Sequence, residues 1–230
     1  MGGWVLDTAA LYARVFRGGA RLALRNWQVP LAVLVYGPLL RLVAGAAAPL
    51  GVAGGLLLYL AMIACMSSWL SLVAQVIQAG RVRLEDLPAG FVAYLGDLLT
   101  VAFLLWGLRL IASLVLAPFP FLAIVFGLAV LVFFNAVPEL LYLGHHTATE
   151  LLVESYRFIG ENWIEWFPAN LVLGGCVLAA FATPPGPYGI VTVAATGLAL
   201  SFAMIVRGLL FRELASSSHR GREFRRRAAK

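Results

Sequence analysis

The sequence predicts an all-α fold: a polytopic membrane bundle of six transmembrane helices, built as three parallel repeats of an amphipathic cytoplasmic helix plus a helical hairpin. Three observations predict it: the apolar composition, the one-sided placement of positive charge, and a recurrence at 68 residues. Of 230 residues, 62% are hydrophobic and 12% charged, and the mean hydropathy is +0.91. A soluble domain carries about 25% charged residues because its surface faces water. Much of this chain's surface must therefore face lipid.

Taken in order, the chain opens on a segment bearing Arg14, Arg17, Arg21 and Arg25. It lacks the apolar h-region of a secretory signal, so none is expected. A bilayer core about 30 Å thick needs roughly 20 apolar residues per helix. Six stretches qualify, at 29–48, 51–77, 97–117, 119–142, 167–184 and 188–211. The first two meet at Pro49, the next two at Pro118 and Pro120, and the last two at Pro184, Pro185 and Pro187. Proline ends helices, so each junction reads as a tight hairpin turn. None of the turns carries a charge. Arg81, Arg83, Arg157, Arg212, Arg220, Arg222, Arg225, Arg226, Arg227 and Lys230 all fall on the other side, with the N-terminal arginines. The positive-inside rule makes that side cytoplasmic. The expected location is the cell (inner) membrane, multi-pass, with both termini cytoplasmic.

The recurrence refines this bundle. Leu40-Arg41-Leu42-Val43-Ala44 returns as Leu108-Arg109-Leu110-Ile111-Ala112, 68 residues later. Arg21, Asn26 and Trp27 return as Arg157, Asn162 and Trp163, at twice that offset. The proline turns keep the same register within a residue or two. Residues 1–215 thus read as one transmembrane domain with repeats at about 10–80, 81–145 and 146–213, followed by a disordered basic tail at 216–230.

Within this register, Ser71, Glu139 and Arg207 occupy equivalent positions, and one turn deeper Ser67 and Asn135 match Ala203. Glu139 and Arg207 read as an ion pair, because a lone charge facing lipid is costly. Asn135 and Pro138 interrupt the fourth helix, whose freed backbone groups need other partners. Two readings stay open: a ligand-contacting polar centre, or a structural pair that holds helices together. Arg41 and Arg109 lie eight or nine residues before their turn prolines. They read either as arginines snorkelling to the outer headgroups or as an anion-contacting pair. The candidate ligand-binding residues are therefore Ser67, Ser71, Asn135, Glu139, Arg207, Arg41 and Arg109.

On the cytoplasmic side, Thr147 and Glu150 have capping-box spacing. Glu150, Glu154, Arg157, Glu161 and Glu165 then share one helical face, and Leu152, Tyr156, Ile159 and Trp163 another. This describes an interfacial helix, loosened at Gly160. Its acidic stripe and the basic stripe of Arg14, Arg21 and Arg25 leave three readings open: closure of a ring of repeats, pairing between subunits, or two solvated faces that do not meet. His145, His146, Glu150 and Glu154 align without converging, so no metal and no cofactor is expected. Cys65 and Cys176 read as small buried hydrophobes. The partners expected are membrane lipids, with anionic lipid at the basic termini, and other membrane proteins or further copies of the chain. No nucleic acid is expected.

Pro138-Glu139-Leu140-Leu141-Tyr142, with the segment from Glu154-Ser155-Tyr156-Arg157 to Glu161-Asn162-Trp163, resembles a group of bacterial six-helix membrane proteins. These are related to the membrane domain of some glycerophosphodiester phosphodiesterases. The resemblance implies a fold type and a bacterial origin and carries no catalytic residue. The chain has no room for an appended hydrolase domain. The functional expectation is a membrane protein without enzymatic activity, either permease-like or an accessory or scaffold component. The alternative is an intramembrane enzyme or lipid-handling protein with a polar site near Glu139. Such an enzyme would draw on Ser67, Ser71, Glu139, His145 or His146, which no recognised spacing joins.

Overall fold

A computed structural model describes residues 2–144, 148–182 and 189–228. Every regular element among them is helical, and six helices are long and apolar enough to cross a bilayer. Helix α1 (Gly2–Arg25) turns at Asn26 and Trp27 into α2 (Gln28–Ala47). A single 3-10 turn, Ala48–Leu50, then leads to α3 (Val52–Ala79). Proline at Pro49 stops α2, and Gly51, at φ 56°, supplies the left-handed angle that reverses the chain. Gly80 does the same at the end of α3, with φ 72°, and its N–H caps the Val76 carbonyl.

After a second 3-10 turn (Leu84–Asp86), the short α4 (Leu87–Ala93) breaks at Tyr94 into α5 (Leu95–Val115). The fourth span is divided into α6 (Pro120–Phe133) and α7 (Val137–Leu143). Helix α8 (Ala148–Ala182) carries the acidic segment and the fifth span as two helical stretches that meet at a kink. The sequence predicts an interfacial helix loosened at Gly160; in the structure the division from the fifth span falls two residues later, at Asn162 (φ −127°, ψ 15°). The Asn162 side chain accounts for the shift: its Nδ2 donates to the Phe158 carbonyl (2.9 Å) within the turn that bends. Helix α9 (Gly189–Ala228) carries helical backbone through most of the basic segment read as a tail, in keeping with helix extension once a long helix is nucleated.

Helices α3 and α9 are the most buried spans, and α5 and α6 the least. α3, α7 and α9 touch one another at the centre, and hydrogen bonds circle the three. Gln78 of α3 donates to the Tyr142 carbonyl of α7 (3.1 Å), Tyr142 Oη to the Met204 carbonyl of α9 (3.4 Å), and Arg212 of α9 to the Ile77 carbonyl of α3 (3.1 Å). Around this centre α3 packs against α4, α6 and α7 pack against α8, and α9 packs against α1 and α2. Cys65 is buried, but Cys176 is exposed, contrary to the sequence reading. It lies on the outward side of α8, where the apolar residues around it in sequence face lipid rather than a core.

Candidate functional site

The site forms where the fourth span breaks. Phe134, Asn135 and Ala136 leave the helix, and Pro138 at the second position of α7 cannot donate to the preceding turn. Two carbonyls freed there find side-chain donors. Ser155 Oγ donates to the Phe133 carbonyl (2.7 Å), and Arg207 Nη2 donates to the Asn135 carbonyl (2.7 Å). Arg207 also binds Glu139 through both carboxylate oxygens, Nε to Oε1 at 2.6 Å and Nη2 to Oε2 at 2.9 Å. Glu139 is fully buried in the first turn of α7, an end of the helix that favours negative charge. Trp166, also fully buried, lies under the guanidinium at 5.3 Å from its ring centroid and donates its Nε1–H to Asn135 Oδ1 (3.0 Å). Phe158 and Phe211 pack on the same indole, at 5.1 and 6.4 Å between ring centroids.

Three of the candidates thus meet: Asn135, Glu139 and Arg207 form one knot joining α7, α8 and α9. Ser67 does not belong to it. Its hydroxyl donates to the Gly90 carbonyl (2.8 Å) and accepts from the Tyr94 N–H (2.9 Å), fastening α4 and its break to α3. Ser71 sits beside the same contact, so close that a Cβ on Gly90 would lie 3.3 Å from its own. Arg41 and Arg109 are exposed on α2 and α5, away from the knot. Arg109 lines a groove between α5 and α6 that Arg41 does not reach. No family model, curated protein or solved structure matches the chain.

One further contact recurs at the helix breaks. Asn26 Nδ2 donates to the Leu22 carbonyl (2.9 Å), as Asn162 does to Phe158. Asn26 in addition donates to the Gly80 carbonyl (3.2 Å) and accepts the Val82 N–H (3.0 Å). α1 also meets α8, where Tyr12 Oη donates to the Glu165 carbonyl (2.7 Å). Arg14 there lines one groove with Asp7, Glu165 and Glu213, so the first basic segment and the last acidic one are neighbours. Partial burial, and then the Glu165 carboxylate, push the Tyr12 phenol above its ordinary value.

Sequence reasoning missed Trp166 and Ser155. Asn162, Trp166 and Asn170 stand four apart, a spacing that marks one helical face and whose side chains here turn inward. His145, His146 and Thr147 lie outside the described residues. Among those described, no three His, Cys, Asp or Glu side chains gather as a metal site would require.

Proposed function

We propose that the chain is a non-enzymatic membrane component of the accessory or scaffold kind, a ring of three hairpins whose polar centre locks helices together. The observation that carries this reading is the closure of the Glu139–Arg207 pair. The carboxylate has both oxygens on one guanidinium and no exposed surface, and neither residue lines the grooves at Arg109, Arg157 or Arg14. A transport carboxylate must meet its cargo or proton, and a catalytic one its substrate. Glu139 instead completes a helix contact.

The three-unit architecture has support from the backbone. Helical breaks fall at Asn26, Tyr94 and Asn162, at the 68-residue interval, and the last two have nearly the same angles (φ −122°, ψ 10° and φ −127°, ψ 15°). Asn26 and Asn162 make the same side-chain bond to the fourth carbonyl before them. Each inner helix packs on the segment that opens the next unit, and α9 on the segment that opens the first. The charge bias supports an orientation with both termini in the cytoplasm and the hairpin turns outside.

A hydrophobic carbodiimide, which couples only to protonated carboxyls that it can reach, tests the functional reading on the chain reconstituted in lipid. Glu139 stays unlabelled by peptide mass spectrometry, and becomes labelled in the R207M variant. Labelling of Glu139 in the unaltered chain overturns the scaffold reading in favour of a working carboxylate.

A further inference from the structure

The hairpin of α5 and α6 is built unlike that of α2 and α3. In the first hairpin the helices touch backbone to backbone: a Cβ on Gly54 would collide with the Ala47 carbonyl. Sixty-eight residues further on, Val115 and Leu122 stand where Ala47 and Gly54 do. In this second hairpin a groove of about 510 Å³ opens between α5 and α6. Small residues, Ala112, Ala123 and Gly127, form part of its walls, and Leu105 and Leu131 its deeper end. Along α5 it runs from Ser113 to Leu105, roughly 12 Å at 1.5 Å per residue. Ser113 spends its proton on the Leu110 carbonyl (2.7 Å), which leaves Arg109 as the charge of the groove.

An arginine lining an otherwise apolar cleft in a membrane span asks for an anion attached to a hydrocarbon chain. Arg109 lines the groove one turn before Ser113, in the half of α5 nearer the hairpin turn, and an arginine there has the length to snorkel toward the headgroups. A guanidinium fork matches a phosphate diester, and the groove below it matches an acyl chain. We propose that this groove holds one anionic phospholipid, its phosphate on Arg109 and one acyl chain between α5 and α6. Arg41 is the internal control, since it holds the same sequence position in a hairpin whose helices close on each other at Ala47 and Gly54. The groove shares no lining residue with the Glu139–Arg207 knot, and the proposal stands whether or not the scaffold reading does.

Native mass spectrometry of the full chain tests this after equilibration with phosphatidylglycerol and phosphatidylcholine in equal amounts. The unaltered chain retains one phosphatidylglycerol in preference to phosphatidylcholine. R109Q lowers that preference roughly tenfold, the size of one lost charge-assisted contact, whereas R41Q leaves it in place. G127L keeps every charge and projects into open space, so it tests the groove without an obligatory clash. It displaces the retained lipid. Equal losses in R41Q and R109Q overturn the proposal in favour of nonspecific charge attraction. Unchanged retention in R109Q or G127L overturns it too, as does oleate or a second copy of the chain in the lipid's place.

Discussion

Arg207 holds Glu139 by both carboxylate oxygens, at 2.6 and 2.9 Å, and with the same guanidinium satisfies the Asn135 carbonyl at the break of the fourth span. One side chain of α9 therefore neutralises a buried charge of α7 and repairs an interrupted helix. Glu139→Gln removes the negative charge and leaves the guanidinium, 16% exposed in its side chain, without a counter-ion. The expected loss is about 3–5 kcal/mol, the range for breaking a buried pair from one side. A shift of the denaturation midpoint in mixed detergent micelles measures it.

The two kink asparagines differ in how far their bonds reach. Asn26, 2% exposed, ties the end of α1 to both Gly80 and Val82, whereas the bond of Asn162 is local to α8. Asn26→Ala leaves the Val82 N–H without its acceptor and costs about 1–3 kcal/mol, while Asn162→Ala costs about 1 kcal/mol. The same denaturation series ranks them, and the reverse order would show that the bonds to Gly80 and Val82 contribute little.

Glycine at position 54 is a steric requirement. Gly54→Ala drives a methyl into the Ala47 carbonyl, backbone that has no rotamer to yield, and costs about 1–3 kcal/mol net of the better helix propensity of alanine. Gly55→Ala, next to it and in open space, is neutral or stabilising by up to about 1 kcal/mol. Thermal unfolding of the two variants side by side checks the contrast.

The bond from Tyr12 to Glu165 makes the docking of α1 sensitive to alkali. Burial, then the Glu165 charge, raise the phenol's folded-state value above about 10, its value in the unfolded chain. The contribution is therefore complete below the unfolded value and is lost as pH rises through the folded one. Hydrogen exchange in α1 should accelerate above about pH 10 in the native chain, while Tyr12→Phe shows a weaker docking with no such step.

Much of the bundle was legible because the bilayer imposes a length and a composition on each span, and the proline turns punctuate them. Glu139 and Arg207 could be matched by register alone, and they meet, because charges within a span need partners. Trp166 and Ser155 were not legible as their neighbours. Which face of α8 turns inward depends on the neighbours it packs against, and the exposed Trp163 is as aromatic as the buried Trp166. The bend at Asn162 rather than Gly160 has a similar origin: a side-chain donor stabilises a kink, which backbone freedom alone does not. Arg41 and Arg109 share one sequence pattern, and the groove between α5 and α6 that Arg109 lines was not legible from it.

A double-mutant cycle on Glu139 and Arg207 tests the central claim, that this pair is a lock between α7 and α9. Each single variant, Glu139→Met and Arg207→Met, is expected to be strongly destabilised. The double variant is expected to be at least as stable as either, with a coupling energy of about 2–3 kcal/mol. Additive losses, with the double variant falling by the sum of the two, would contradict the claim.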